Sequence, residues 1–166
     1  MMNVWKILFS FVLFITCIAR AQPIPPELQL PSWAKSEWLR LAESASLKLS
    51  TRINPFVLRG DFDADGQPDL ALLVEQTQSG KAGIAILHRS DRKPVVLGAG
   101  RNFGNGGDDF EWLDIWNVQA KGKLKSVSKP KLLHLRGDAL YLVKDGAASA
   151  LVYYEGGSYK WLQLGD

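Results

Sequence analysis

The stretch Asp61-Phe62-Asp63-Ala64-Asp65-Gly66-Gln67-Pro68-Asp69 places four carboxylates in one short loop, at relative positions 1, 3, 5 and 9. Like charges this close repel one another, and a hard divalent cation removes the repulsion. Ca²⁺ takes several oxygen ligands, and a flexible loop can supply them. Gly66 gives the loop its turn, because glycine reaches positive φ without steric penalty. Asp and Gly also make ordinary surface turns, so an acidic turn is the alternative. Four acids at alternating spacing with Gly at position 6 exceed what a turn demands, and the pattern points to calcium.

The loop begins like an EF-hand and then departs from it. Position 12, where an EF-hand carries a bidentate Glu, is Leu72. The flanks Phe56-Val57-Leu58 and Leu70-Ala71-Leu72-Leu73-Val74 read as buried strands, and Pro68 disfavours a helix starting inside the loop. The ion would therefore sit in the connection of a β-hairpin.

Residues Gly60 to Ala71 resemble the calcium loop of FG-GAP repeats, the modules of integrin-α-like propellers and bacterial VCBS surface proteins. The resemblance implies side-chain oxygens from Asp61, Asp63, Asp65 and Asp69 as Ca²⁺ ligands, with the backbone carbonyl of Gln67. It covers a small fraction of the chain. A propeller needs about four or more blades of four strands, and the loop has no second copy, so a full propeller is not expected.

The elements that must position this loop follow from the rest of the chain. Lys6, the apolar run Ile7 to Ile15 and the small-x-small sequence Ala19-Arg20-Ala21 read as a secretory signal peptide over residues 1–21, cleaved after Ala21. The apolar run is too short to span a bilayer, and no later stretch reads as a transmembrane segment. Cys17 raises a lipoprotein reading, but Phe14-Ile15-Thr16 before it fit a lipobox poorly. The expected location is secreted or periplasmic. Cleavage removes Lys6 and Arg20 but no acid, which brings 20 basic residues close to balance with 17 acidic ones. The basic composition is thus no argument for nucleic acid. Cleavage also removes the one cysteine, so the core, aided by an ion, must hold a disulfide-free domain.

Residues 22–31, with Pro23, Pro25, Pro26 and Pro31, read as an extended leader. Ser32 reads as an N-cap and Trp33 to Leu49 as one amphipathic helix, with Trp38, Leu41, Ala45 and Leu49 forming its packing stripe. From Phe56 onward the pattern is of short strands: Ala82 to His88, Val95 to Leu97, Lys131 to Leu135, Ala139 to Val143, Ala150 to Tyr154 and Tyr159 to Leu164. Gly137-Asp138, Asp145-Gly146 and Gly156-Gly157 divide the last of these at the close spacing of antiparallel meanders. The expected fold is α+β over residues 32–166: one domain, a mostly antiparallel sheet with one N-terminal helix packed on it.

Other residues compete for a functional role. The glycine-rich segment 98–109 does not match the dinucleotide spacing G-x-G-x-x-G; it reads equally as a flexible connection or as a functional loop in which Asp108 and Asp109 complete an ion site or contact a ligand. Trp112 and Trp116 read as core aromatics or as a sugar platform, forming a second site with those acids. Asp109, Glu111 and Asp114 are the candidate acids of a small glycan-directed hydrolase. His88 and His134 lie in apolar strand runs and read as structural. Arg59-Gly60-Asp61 and Arg136-Gly137-Asp138 both spell an integrin-recognition tripeptide, although Asp61 already belongs to the acidic loop. Lys121, Lys123, Lys125, Lys129 and Lys131, alternating through Leu124 and Val127, read as the solvent face of an edge hairpin.

Two functional readings follow. One is a non-enzymatic module with a structural Ca²⁺ that binds a protein or glycan ligand. The other is the small hydrolase with acids in residues 104–114. The first needs no pair of carboxylates with separated pKa values, whereas the second must show one in a cleft.

Overall fold

The computed structural model describes residues 25–125 and 132–165. The signal peptide with Cys17, the start of the leader, and Val127, Lys129 and Lys131 lie outside the described residues.

Helix α1 spans Ser32–Ala45. Its N-cap is Pro31 rather than Ser32, and no side chain caps it. Nor does it reach Leu49. Ser46 turns left-handed at φ 52°, and Leu47–Leu49 leaves as strand β1, paired with residues 74–76. The leader is not wholly extended either: Pro26–Gln29 forms a 3-10 turn, whose first position accepts proline, and Leu30 is buried beside α1.

The strands that follow are β2 (Val57–Gly60), β3 (Asp69–Gln76), β4 (Ala82–Leu87) and β5 (Val95–Gly98). With β1 they form a five-stranded antiparallel sheet in the order β1-β3-β4-β5, with β2 also paired to β3. A second antiparallel sheet holds β6 (Ile115–Gln119), β9 (Ala139–Lys144), β10 (Ala148–Glu155) and β11 (Ser158–Gly165), in the order β11-β10-β9-β6. Strands β7 (Gly122–Lys125) and β8 (Leu132–Leu135) pair as a hairpin. The fold is α+β, mostly antiparallel sheet with one helix, and among the described residues there is no propeller.

Alternation along β3 and β4 builds the layers. Leu70, Leu72, Val74, Ala85 and Leu87 face α1 and pack with Ala34 and Trp38. Ala71, Leu73, Ile84 and Ile86 face the second sheet and pack with Phe110, Trp116, Leu140 and Leu142. Both faces of these strands are covered, which is why they read as continuous apolar runs. The outer face of the second sheet packs Leu151 and Tyr141 against Leu133, Leu135 and Leu124 of the β7–β8 hairpin. Lys121 and Lys123 are exposed there, as the lysine alternation implies. Among the described residues no helix is long and apolar enough to cross a membrane.

Candidate metal centre

The acidic loop connects β2 to β3, and the two strands are antiparallel neighbours with Gly60 opposite Asp69. The loop is thus a hairpin connection. Phe62, 1% exposed, anchors it in the inter-sheet core. Ala64 and Gly66 have φ of 62° and 87°, and these left-handed residues curl the chain so that Asp61, Asp63 and Asp65 converge.

The curl is held by the acids themselves. The N–H of Gly66 donates to Oδ1 of Asp61 at 3.2 Å, that of Asp65 to Oδ1 of Asp63 at 3.2 Å, and that of Gln67 to Oδ1 of Asp65 at 2.7 Å. Asp69, fully buried, closes the loop. Its Oδ2 accepts the N–H groups of Phe62 (3.0 Å) and Asp63 (3.3 Å), and its Oδ1 accepts that of Arg89 (3.0 Å).

Two carboxylate groups result. Asp61, Asp63 and Asp65 each offer an oxygen within 4.8 Å of the others. Two ligands of one Ca²⁺, each at about 2.3–2.6 Å, lie no farther apart than roughly 5 Å, so the spacing fits a shared ion. Asp69 instead groups with Asp63 and His88. Gln67 is exposed, and its N–H contact with Asp65 is the bond that ties it to the loop. These acidic groups can in principle hold a metal ion.

Cations of the chain already balance part of the charge. Arg92 Nε donates to Oδ2 of Asp63 at 2.8 Å, and Lys121 Nζ to Oδ2 of Asp61 at 3.4 Å. Among the described residues Asp69 receives no such partner. Burial pushes its carboxyl up to about 6, with Asp63 and Asp65 adding repulsion and the N–H groups of Arg89 and Phe62 opposing it. A bound cation would reverse that bias.

His88 is the residue that the sequence reading left out of the site. Its Nδ1 donates to the carbonyl of Lys93 (3.0 Å), so its Nε2 accepts from the Tyr159 hydroxyl (2.8 Å). Burial lowers the imidazole pKa, and burial raises that of the Tyr159 phenol. The strand register could have found it: Leu70 pairs with Leu87, so the next rung sets Asp69 beside His88. His134, by contrast, is exposed on β8.

The acids of the competing site each have partners of their own. Asp108 pairs with Lys81. Asp109 accepts the N–H groups of Ala82 (2.9 Å) and Glu111 (3.0 Å), and Asp114 accepts that of Asp145 (2.9 Å). Glu111 is exposed, 3.8 Å from Arg52. Phe110 and Trp116 are core residues, while Trp112 is half-buried against Phe110 and Trp161. The segment is neither one strand nor one helix: residues 110–113 turn, and β6 starts at Ile115.

Against protein-family models, curated proteins and solved structures, the chain finds no match.

Proposed function

We propose that the chain is a secreted or periplasmic, non-enzymatic domain that holds a structural Ca²⁺ in its β2–β3 loop and acts as a protein- or glycan-interaction module. The observation that carries this reading is the convergence of Asp61, Asp63 and Asp65 to within 4.8 Å on a loop curled by its own left-handed residues. The likeness of residues 60–71 to an FG-GAP calcium loop supports it, as does the signal-peptide pattern of residues 1–21. Oxygen-only donors in the first group suit Ca²⁺. Asp63, Asp69 and His88 would favour a borderline metal such as Zn²⁺, but there Tyr159 already occupies the imidazole lone pair.

Calorimetry decides the reading. The chain should bind one Ca²⁺ with a Kd on the order of 0.1–1 mM, as extracellular modules do. Asp63→Ala and Asp65→Ala should each abolish it, and Mg²⁺ should substitute poorly because it demands tighter octahedral geometry. Unchanged binding in both variants would move the ion elsewhere. Tight Zn²⁺ binding without a Ca²⁺ response would transfer the site to the His88 group.

A further inference from the structure

Helix α1 and the turn before it leave one corner of the five-stranded sheet uncovered. The uncovered corner is an open groove of about 770 Å³, walled by the start of α1 and floored by β2 and the beginning of β3. Such a volume lies in the range of ligand sites.

Its chemistry is one-sided. Arg59 and Arg89 are the only ionisable residues in its walls, and neither has a carboxylate at ion-pair distance among the described residues. Both sit on ordered backbone, and both side chains are exposed. Arg59 sits on β2 opposite Leu70. The N–H of Arg89 is clamped on Asp69, and its guanidinium lies 6.0 Å from the Trp33 ring centroid. The remaining surface is apolar: Leu30, Trp33, Phe56, Val57 and Leu70, interleaved with prolines. Gln29 and Asn54 are its only neutral polar side chains.

We propose that this groove docks an extended, apolar peptide segment of a partner protein that carries carboxylates to meet Arg59 and Arg89. The inference deepens the interaction role proposed above and rests on it. Paired guanidiniums without acidic neighbours call for anions, and their planar fork matches a carboxylate. Grooves lined by aromatic side chains, as Trp33 and Phe56 line this one, dock extended proline-rich peptides. A neutral glycan would leave both guanidiniums without an anion.

The probe is a dodecapeptide of three Asp-Leu-Pro-Glu repeats, titrated into the full chain carrying ¹⁵N-labelled tryptophan. The comparison arms are its Asn-Leu-Pro-Gln counterpart and hexagalacturonate. The Trp33 indole signal, assigned with Trp33→Phe, should shift saturably with the acidic peptide and weaken with added salt. The amide peptide should bind at least about tenfold more weakly, and Arg59→Gln and Arg89→Gln should each lose about tenfold. Both arginine heads are exposed, so these variants should keep the wild-type melting temperature. A silent Trp33, equal binding of the amide peptide, or undiminished binding by the double arginine variant overturns the proposal. Hexagalacturonate binding at Trp33 with the peptide silent also overturns it, in favour of a glycan. Titrations in millimolar Ca²⁺ and in chelator separate the two readings. Peptide silence beside an intact Ca²⁺-dependent melting shift removes the groove alone, and peptide binding without any Ca²⁺ response removes the ion alone.

Discussion

Asp61 and Asp138 bind each other across 77 residues. The N–H of Asp138 donates to the Asp61 carbonyl at 2.7 Å, and the N–H of Asp61 donates to Oδ2 of Asp138 at 2.9 Å. The other Asp138 oxygen accepts the N–H of Lys121 at 3.0 Å. The two Arg-Gly-Asp tripeptides therefore lock together beside the acidic loop. Both of their acids are committed inside the fold, which argues against their use as adhesion motifs.

Asp138→Ala should consequently destabilise the domain by about 2 kcal/mol, since hydrogen bonds to a charged acceptor contribute roughly 1.5–3 kcal/mol. It should also weaken Ca²⁺ binding, because the loop keeps its backbone bond to the β8–β9 turn but loses the carboxylate that accepts the Asp61 N–H. Urea unfolding and calorimetry on the same variant check both effects. An unchanged midpoint would mean that the loop closes without this contact.

The leader contributes more than its proline content suggests. Leu30 is 7% exposed and packs in the helix-side core with Ala34 and Trp38. Leu30→Ala should cost about 2–3 kcal/mol and Trp38→Ala about 3–5 kcal/mol. Thermal unfolding measures both. If Leu30→Ala unfolds like wild type, the leader does not dock.

The parts of this molecule legible in its sequence are those set by neighbours along the chain. The β2–β3 hairpin announces itself through apolar flanks around Asp61 to Asp69, and β3 and β4 through runs that both layers cover. The end of α1 did not, because Leu49 continues the helical stripe. What wins is a distant partner: Leu47–Leu49 gains a ladder on residues 74–76, and Ser46 takes the left-handed turn. The proline leader misled similarly, since Leu30 becomes useful only once the Trp38 face exists. Asp61, Asp63 and Asp65 were legible as a group from their spacing. His88 needed the strand register, and Asp138 arrives from far along the chain, where local pattern carries no signal.

Asp65 and Asp69 should separate ion binding from folding. Asp65 is exposed and accepts one N–H, whereas buried Asp69 accepts three. Asp65→Ala should abolish the Ca²⁺ response while leaving the stability in chelator nearly unchanged. Asp69→Ala should lower stability even in chelator by about 2–4 kcal/mol, because buried N–H groups lose their acceptor. In wild type, Ca²⁺ at ten times Kd should add roughly 1.4 kcal/mol, seen as a melting shift of a few degrees. Coincident midpoints in chelator, Ca²⁺ and Mg²⁺ would reduce the loop to a surface turn.

Gly137 packs directly against the loop. A Cβ there would lie 2.4 Å from the Asp61 carbonyl oxygen and 2.9 Å from the Ala64 nitrogen, both backbone atoms that cannot rotate away. Gly137→Ala should therefore destabilise by about 1–3 kcal/mol and weaken the ion site as well. Gly146→Ala is the comparison: its φ of 65° is strained for alanine, but nothing lies within 4 Å. That change should cost about 1 kcal/mol and leave Ca²⁺ binding intact. Equal effects of the two on Ca²⁺ binding would dissociate Gly137 from the loop.

Lys81 and Asp108 offer a test that depends on pH. Their ion pair ties the start of β4 to the glycine-rich segment. A hydrogen bond from Lys81 holds Asp108 below its ordinary value of 3.8, and the same bond holds Lys81 above 10.5. For the acid, the lowered value in the folded state means stabilisation that is present above pH 3.8 and lost as pH falls through the folded value. For the amine, the raised value means stabilisation present below pH 10.5 and lost as pH climbs through the folded value. Both groups are exposed, so the effect is small and screened by salt. A double-mutant cycle of Lys81→Ala and Asp108→Ala should show favourable coupling at pH 7 that shrinks in high salt and declines as pH falls below 3.8. Coupling indifferent to both salt and acid would assign the contact to packing of the lysine stem rather than to charge.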